Sequence, residues 1–240
     1  MSWFCPTFQR PDRLAQLALS WECCQPETEL FVRVWDKDPM RSKYFEFNWP
    51  ETWTLYRSSA EWCGDALRDF YKRYPNEDFY GFVGDDIILR TKGGLDALEA
   101  SARKGKIAYP NDMFQRDKLC THFCIDGDLV RMLGYWVPKG FRHQYLDCVW
   151  HIIGLNTGLL RYHPEVIFDH MNPFAKQDEQ YVDDTTRKAH GQEEGALKRW
   201  EEWQEVEGRQ AISSIRQALN EYEKADNWDF KYEFIRSNIA

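Results

Sequence analysis

Two adjacent aspartates follow an apolar run in the first half of the chain, and their position suits metal binding. Asp85 and Asp86 come directly after Phe79–Val83 and Gly84. Carboxylates at the end of a strand suit a hard divalent cation such as Mg²⁺ or Mn²⁺, which takes oxygen ligands and also binds a diphosphate. Such a cation would neutralise charge on a departing nucleoside diphosphate. The alternative interpretation is a solvated acidic turn.

A histidine after a second apolar run could supply a nitrogen ligand to the same cation. His170 follows Val166–Phe168 and Asp169. Imidazole nitrogen is a common ligand of divalent metals in proteins. The alternative is a partly buried histidine that is hydrogen-bonded to the backbone.

An aspartate at the predicted start of a helix has the position of a general base. Asp147 lies within the segment His143–Trp150, and the helix dipole favours the ionised form of a carboxylate at a helix N-terminus. A general base must reach the attacking hydroxyl within hydrogen-bond distance. Trp150, three residues later, is expected on the same helix face, where its ring would offer a surface to a sugar. The alternative is an N-cap aspartate beside a core tryptophan.

Hydrogen-bond donors cluster after the first predicted strand, at the start of a helix. Thr7, Gln9, Arg10 and Arg13 make up this cluster. Exposed donors at a helix start suit a nucleotide or a phosphate. The alternative is a helix cap with solvated arginines.

Strand signals alternate with helical periodicity along the first two-thirds of the chain. We predict strands over about 2–8, 30–35, 44–47, 80–83, 106–109 and 161–168, and helices over about 11–24, 59–74, 94–104, 126–133, 147–157 and 187–223. This alternation predicts an α/β fold with a largely parallel sheet that helices cover on both sides. Ligands of such sheets bind outside the carboxyl ends of the strands. The polar clusters Thr7–Arg10, Asp36–Asp38 and Asp85–Asp86 are therefore expected to meet in one crevice.

The composition is that of one large globular domain with an appendage. The chain has 240 residues, of which 43% are hydrophobic and 29% charged. The formal net charge of −8 argues against duplex nucleic acid as the main partner. Aromatic residues reach 16%, which fits either sugar-binding platforms or an aromatic core. The seven cysteines show no zinc-like pairs and predict reduced thiols in a cytosolic setting.

The N-terminus predicts a protein without a signal peptide. The chain begins with a strand-like run at Trp3–Cys5, and no basic leader with an apolar stretch precedes it. No apolar run approaches the roughly 18 residues that span a bilayer. We therefore expect a cytoplasmic protein, in the host cytoplasm if it is viral.

Five segments, in order, resemble the family-2-like glycosyltransferases with the GT-A fold. The run Pro6–Pro11, with Leu14 and Leu17 after it, is similar to the family's opening segment. The other matches are Asp36 at the end of the second strand, Tyr80–Ile87 as the region of the metal-binding acidic motif, Asp147 with Trp150 as the acceptor-side motif, and Val166–His170 as the late strand with a metal-binding histidine. Together they cover roughly residues 2–172.

The resemblance implies a fold, a division of the chain and a reaction. The fold would be a GT-A-type mixed, mostly parallel sheet flanked by helices, Rossmann-like, with a helical C-terminal tail. Residues 1–172 would form the catalytic domain, with a nucleotide-binding half over about 1–110 and an acceptor half over about 111–172, and 173–240 would be a mobile loop plus a helical extension. The reaction would move a sugar from a UDP-, GDP- or dTDP-linked donor to an acceptor hydroxyl, with inversion.

The resemblance also implies roles for individual residues. Mn²⁺ or Mg²⁺ would be held by Asp86 and His170, and Asp147 would be the general base. The donor site would include Pro6, Thr7, Arg10, Asp36 and Asp85, and the acceptor side would include His143 and Trp150. The polar segment 172–186 could close over the donor through Asp178, Tyr181 and Arg187.

The chain departs from the family's pattern at three motifs. It has Gly84-Asp85-Asp86 instead of Asp-x-Asp, Asp36-Lys37-Asp38 instead of Asp-Gly-Ser, and Leu146-Asp147 instead of Glu-Asp. Its compact length is similar to that of viral and phage enzymes, which leaves a hydroxymethylated DNA base open as the acceptor. A non-catalytic interaction module with this fold is a further alternative. A nucleotidyltransferase is disfavoured, because no Gly-rich, Arg- and Lys-bearing loop follows the first strand.

Overall fold

The computed structural model describes residues 2–171 and 195–223, and its strands form one eight-stranded sheet with the order β3-β2-β1-β4-β7-β6-β8-β5. The strands are β1 (Ser2–Thr7), β2 (Leu30–Trp35), β3 (Trp53–Ser58), β4 (Phe79–Phe82), β5 (Ile87–Leu89), β6 (Ile107–Asn111), β7 (Phe123–Asp126) and β8 (Leu160–His170). The helices are α1 (Pro11–Cys24), α2 (Arg41–Tyr44), α3 (Cys63–Arg73), α4 (Gly94–Ala102), α5 (Gly127–Leu133), α6 (Leu146–Thr157), α7 (Ala196–Glu205) and α8 (Glu207–Glu223), with a 3₁₀ turn at Arg116–Lys118.

Six of the eight strands run in one direction. The pairs β1–β2, β1–β4, β2–β3 and β6–β8 are parallel, whereas β4–β7, β6–β7 and β5–β8 are antiparallel. Only β5 and β7 therefore oppose the rest of the sheet. The carboxyl ends of β1, β2, β4, β6 and β8 meet at one edge, together with the starts of β5 and β7. This mixed, mostly parallel sheet with helices on it confirms the predicted fold class.

Alternation along β1 divides the core into two layers. Trp3 and Cys5 face one side of the sheet, where they pack with α1 and α4, and Phe4 faces the other side, where it packs with α3, α5 and α6. All three side chains are fully buried. A strand covered on both faces has no polar face, which explains the continuous apolar character of this run.

The C-terminal helices belong to the second of these layers. Trp203 of α7 and Ala211 and Ile215 of α8 are buried in the same cluster as Phe4 and α6. Leu197 and Val206, apolar residues of the predicted helical region 187–223, are instead 56% and 55% exposed. The proposed closing segment 172–186, and the predicted helical residues 187–194, lie outside the described residues.

Most predicted elements match the structure, but the third strand was placed wrongly. Residues 44–47 form no strand: Tyr44 ends the short helix α2 and is fully buried. The third strand is Trp53–Ser58, which pairs in register with β2. The strands β5 and β7 were not predicted: β5 has only three residues, and β7 runs directly into α5.

Within the described ranges, none of the helices is long and apolar enough to cross a bilayer.

The burial of α8 predicts a stability difference between two matched truncations. Ile215→Ala should lower the free energy of unfolding by about 2–5 kcal/mol, because it leaves a cavity in the main core. Leu197→Ala, on the exposed side of α7, should change it by no more than about 0.5 kcal/mol. Urea denaturation followed by tryptophan fluorescence measures both. Equal effects of the two substitutions would contradict the packing of α8 on the core.

Candidate active site

Asp85 is buried at the end of β4 and is held by residues that follow β1. Its Oδ2 accepts a hydrogen bond from the Thr7 hydroxyl at 2.8 Å, and its Oδ1 accepts one from Arg10 Nη1 at 3.1 Å. Burial raises the pKa of Asp85, whereas the Arg10 charge lowers it. The same guanidinium nitrogen lies 3.3 Å from Asp86 Oδ2. Both oxygens of Asp85 are thus engaged, and Asp86 keeps one oxygen for another partner.

That other partner of Asp86 is His170. His170 Nε2 lies 3.5 Å from Asp86 Oδ1. Strand pairing brings them together, because β5 runs antiparallel to the end of β8 with Ile87 opposite His170, and Met171 N donates to Asp86 O at 2.7 Å. The two residues predicted as metal ligands therefore face each other at the carboxyl edge of the sheet.

The protein atoms around Asp86 suit a cation that takes its remaining ligands from water and substrate. Bonds to Mg²⁺ are about 2.0–2.1 Å, and this ion is commonly held by one or two carboxylates plus substrate phosphates. The Asp86–His170 separation of 3.5 Å is compatible with adjacent positions on one such ion. In the part of the chain that the structure describes, no cluster of three or more His, Cys, Asp or Glu is arranged as a ready-made metal site. Two protein ligands fit a metal–diphosphate site better than an all-protein cage.

Two further residues of this edge, Asp112 and His122, were not singled out from the sequence. Asp112 follows β6 and is 1% exposed, and its Oδ2 lies 3.7 Å from His170 Nδ1. His122 precedes β7 and is 3% exposed, and its ring centroid lies 4.9 Å from that of His170. His122 Nδ1 accepts a hydrogen bond from Gly84 N at 3.3 Å, which ties it to the loop that carries the aspartates.

The two histidines have opposite pKa shifts although their rings touch. Burial lowers the pKa of His170, but the carboxylates of Asp86 and Asp112 outweigh it and raise the pKa to about 9. For His122, burial and the neighbouring His170 charge lower the pKa to about 3. Near neutral pH, His170 is therefore a cation and His122 a neutral ring. The His170 charge and, for Asp112, backbone hydrogen bonds hold the pKa of both carboxyls well below their usual range, against the effect of burial.

At the end of β2, Asp38 is more deeply engaged than the predicted Asp36. Asp38 is 2% exposed, and its Oδ2 accepts from Gln9 N at 2.8 Å and from the Tyr44 hydroxyl at 3.4 Å. The same hydroxyl accepts from Arg10 N at 2.9 Å. Asp36 is half-buried, and its backbone N–H donates a hydrogen bond to Ser58 O. Its side chain therefore stays available at the strand end, whereas Asp38 and Tyr44 tie the β1 and β2 loops together.

Asp147 lies in the first turn of α6, next to the segment that precedes β7. Its backbone oxygen accepts from Cys120 Sγ at 3.4 Å, and its Oδ1 accepts from Cys148 N at 2.8 Å. Burial raises the pKa of Asp147, and the His170 charge is among the influences that lower it. Asp147 also raises the pKa of Cys63, at the start of α3, where Asp85 has the same effect. Within the described ranges, no hydrogen bond joins Asp147 to Asp85, Asp86 or His170.

Three other predicted positions have different surroundings. Trp150 does not line the cleft: it is fully buried, and its Nε1 donates to Trp136 O at 2.7 Å, so its ring cannot stack on a sugar. Although Trp150 lies three residues after Asp147 on α6, its side chain packs into the core and not into the cleft. His143 is exposed in the loop before α6, and Pro6 is half-buried in β1.

Backbone strain is concentrated at this edge. Among the described non-glycine residues, those with positive φ are Gln9, Met113, Arg116 and Tyr145, at 56°, 61°, 54° and 64°. They follow β1, follow β6 and precede α6, so all lie in loops of the candidate site. Such conformations cost of the order of 1–3 kcal/mol each and cluster at functional sites. The strain thus marks the same edge as the titratable groups.

A separate cavity of about 510 Å³ lies between α3, α5 and α8. Arg68, Leu133, Tyr135 and Ala211 are among its lining residues, and none of the candidate site residues lines it. Its volume is that of a small-molecule pocket. The paired carboxylates and histidines, however, lie elsewhere, so we assign the chemistry to the strand-end cluster.

Solved structures match the fold, although no protein-family model and no curated protein sequence matches the chain. The mannosyltransferase PcManGT from Pyrobaculum calidifontis, in complex with GDP-Man and Mn²⁺, has a TM-score of 0.55 at 12% identity over 99% of this chain and 79% of that one. TarS of S. aureus has a TM-score of 0.52 at 12% identity over 73% of this chain, and only 37% of TarS is covered.

A third match is glucosyl-3-phosphoglycerate synthase from Mycobacterium tuberculosis, in complex with Mn²⁺, uridine-diphosphate and phosphoglyceric acid. Its TM-score is 0.51 at 11% identity, over 73% of this chain and 72% of that one. Likeness at this level of identity concerns architecture. The chain has the GT-A-type fold, as the resemblance implied.

The raised pKa of His170 predicts a pH dependence of stability in metal-free protein. A proton bound more tightly in the folded state stabilises it fully below about pH 6.5, and this contribution is lost as the pH rises through about 9. Wild type should therefore lose stability relative to His170→Gln between pH 6.5 and 9.5. Urea denaturation in EDTA at several pH values measures the difference. A curve for His170→Gln that runs parallel to that of wild type would contradict the ion pair.

Proposed function

We propose that this GT-A-fold protein transfers a sugar from a nucleoside-diphosphate sugar to an acceptor hydroxyl, with a divalent cation and an aspartate base. The observation that carries the proposal is the pairing of Asp86 with His170 at the carboxyl edge of the sheet, 3.5 Å apart. The known structures with this fold that contain GDP-Man with Mn²⁺, or uridine-diphosphate with Mn²⁺, support the donor class.

The donor site lies between the ends of β1, β2 and β4. Asp36 stands at the end of β2 for the nucleoside, with Pro6 and Thr7 at the end of β1. Arg10 and Asp85 form the adjoining charged pair at 3.1 Å. Because Arg10 spans both Asp85 and Asp86, it fixes their spacing and adds a positive charge where a diphosphate would lie. The donor nucleobase, whether uracil, guanine or thymine, stays open.

The cation is assigned to Asp86 and His170. When bound, Mn²⁺ or Mg²⁺ would neutralise the charge that develops on the leaving nucleoside diphosphate. His170 must lose its proton to act as a ligand. Asp85, with its oxygens hydrogen-bonded to Thr7 and Arg10, helps to hold Arg10 next to Asp86. This division supports Asp86 as the ligand among the two adjacent aspartates.

Asp147 is the proposed general base. It would accept the proton of the acceptor hydroxyl as that oxygen attacks the anomeric carbon, in a single displacement with inversion. Burial raises its pKa, which makes it a stronger base than an exposed aspartate. His143, exposed four residues earlier, lies on the acceptor side. A saccharide hydroxyl is the preferred acceptor class, because the net charge of −8 disfavours duplex DNA with hydroxymethylated bases.

Removal of the base should separate transfer from donor binding. Asp147→Asn keeps the shape of the side chain but cannot take the proton, so the transfer rate should fall by roughly 10²–10⁴-fold. Donor affinity, measured by calorimetry with nucleoside diphosphate and Mn²⁺, should stay within about twofold. A panel of nucleotide sugars and hydroxyl acceptors, including hydroxymethylated DNA, provides the activity assay. Full activity of the variant would refute the assignment of the base.

Removal of the metal ligand should abolish metal-dependent stabilisation. Wild type should melt at a higher temperature with nucleoside diphosphate and Mn²⁺ together than with either alone. Asp86→Asn should lose this increase, whereas Asp169→Asn, one residue from His170 and ion-paired to Arg90 at 2.8 Å, should keep it. If no UDP, GDP or dTDP with Mn²⁺ stabilises wild type, the protein is better explained as a non-catalytic module with this fold.

A further inference from the structure

Asp112 is a buried carboxylate whose orientation is set by four hydrogen bonds. Its Oδ1 accepts from the backbone N–H groups of Phe114, Gln115 and Arg116 at 2.9, 2.7 and 2.8 Å. Its Oδ2 accepts from the Thr121 hydroxyl at 2.8 Å. With 1% exposure and donors on both oxygens, the side chain is an ionised carboxylate in one rotamer.

This carboxylate faces the side of the His170 ring opposite to Asp86. Asp112 Oδ2 lies 3.7 Å from His170 Nδ1, and Asp86 Oδ1 lies 3.5 Å from Nε2. The backbone adds a link, because His170 N donates to Asp112 O at 3.4 Å. Among the described residues, His170 Nδ1 has no hydrogen-bond partner, so the fixed negative charge of Asp112 is the main influence on that nitrogen.

We infer that Asp112 is a positioning residue for His170, and that its carboxylate keeps the ring with N–H at Nδ1 and the lone pair of Nε2 directed to the cation site. The inference rests on the proposed function, because it takes His170 as a metal ligand. A histidine ligand usually presents its second ring nitrogen to a carboxylate or carbonyl, which fixes the tautomer and the ring orientation. The carboxylate here is held independently of the metal by its own loop.

The substitution Asp112→Asn separates this role from folding of the loop. The amide oxygen can replace Oδ1 and still accept from the three backbone N–H groups, and the Thr121 hydroxyl can rotate to accept from the amide. Towards His170, however, an N–H₂ group replaces an acceptor. It favours the tautomer with N–H at Nε2, whose proton occupies the position through which the ring would bind metal.

The test uses Mn²⁺ alone, without nucleotide. The affinity is measured from the electron paramagnetic resonance signal of free Mn²⁺, and histidine ligation from the spin-echo modulation of a directly bound ¹⁴N nucleus. Asp112→Asn should bind Mn²⁺ about 10–100-fold more weakly than wild type. The ¹⁴N modulation should be lost or strongly reduced in whatever Mn²⁺ still binds.

Two matched variants distinguish positioning from loop folding and from net charge. Asp117→Asn removes the same charge from an exposed position of the same loop, and it should keep both the affinity and the modulation. Thr121→Val leaves the carboxylate in place without its hydroxyl partner, and it should keep the modulation with a smaller loss of affinity than Asp112→Asn. Thermal unfolding identifies any variant that does not fold. If Asp112→Asn does not fold, Thr121→Val is the deciding variant. An unchanged Mn²⁺ affinity of Thr121→Val would then count against the inference.

The outcomes separate this inference from the proposed function. Unchanged ¹⁴N modulation and affinity in Asp112→Asn would overturn the positioning role, as would an equal loss in Asp117→Asn. Wild-type protein that binds Mn²⁺ without ¹⁴N modulation would overturn both the ligand assignment and the inference. Wild-type protein with the predicted modulation but no sugar transfer to any acceptor would refute the proposed function and leave the positioning of His170 by Asp112 supported.

Discussion

The arrangement of the site depends on how three carboxylates can remain charged in a nearly water-free edge of the sheet. Asp85 and Asp112 are 5% and 1% exposed, and the side chain of Asp86 is 16% exposed. Isolated charges are very costly to bury, so each needs compensation. Arg10 compensates Asp85, a set of backbone N–H groups compensates Asp112, and the His170 cation compensates Asp86. A divalent cation in place of the His170 proton would supply more positive charge at the same point.

This compensation explains why chemically identical groups take different roles. Both oxygens of Asp85 accept hydrogen bonds, from Thr7 and Arg10, whereas Asp86 has one oxygen that faces His170 instead of Arg10. The two histidines likewise differ in charge because their surroundings differ. His170 has a carboxylate at each nitrogen and is protonated up to about pH 9, and this charge, together with burial, keeps His122 neutral down to about pH 3. Position relative to fixed charges, and not residue type, thus decides the charge state of each group.

The sequence predicts site residues that directly follow an apolar run at the end of a strand, and it misses residues that other parts of the chain place at the same edge. Asp85, Asp86 and His170 could be found because apolar runs mark the strand ends before them. His122 could not, because it precedes its strand, β7, which enters the sheet between β4 and β6. Asp112 does follow a strand, β6, but a single aspartate in a turn does not stand out from the sequence as a site residue. Tyr44 was assigned to a strand, although a helix turns its hydroxyl towards Asp38.

The C-terminal helices pack against the start of the helix that carries the candidate base, so they are not a separate appendage. Trp200 of α7 stacks on Tyr145 with ring centroids 5.3 Å apart and planes inclined by 7°, and it stacks on Trp203 as well. Tyr145 precedes α6 in a left-handed conformation, with no side-chain cap. Asp147 follows two residues later. Because this helix start has no side-chain cap, the contact between Trp200 and Tyr145 is one of the interactions that hold the first turn of α6, in which Asp147 lies. The C-terminal helices therefore pack against the same part of the molecule as the candidate base.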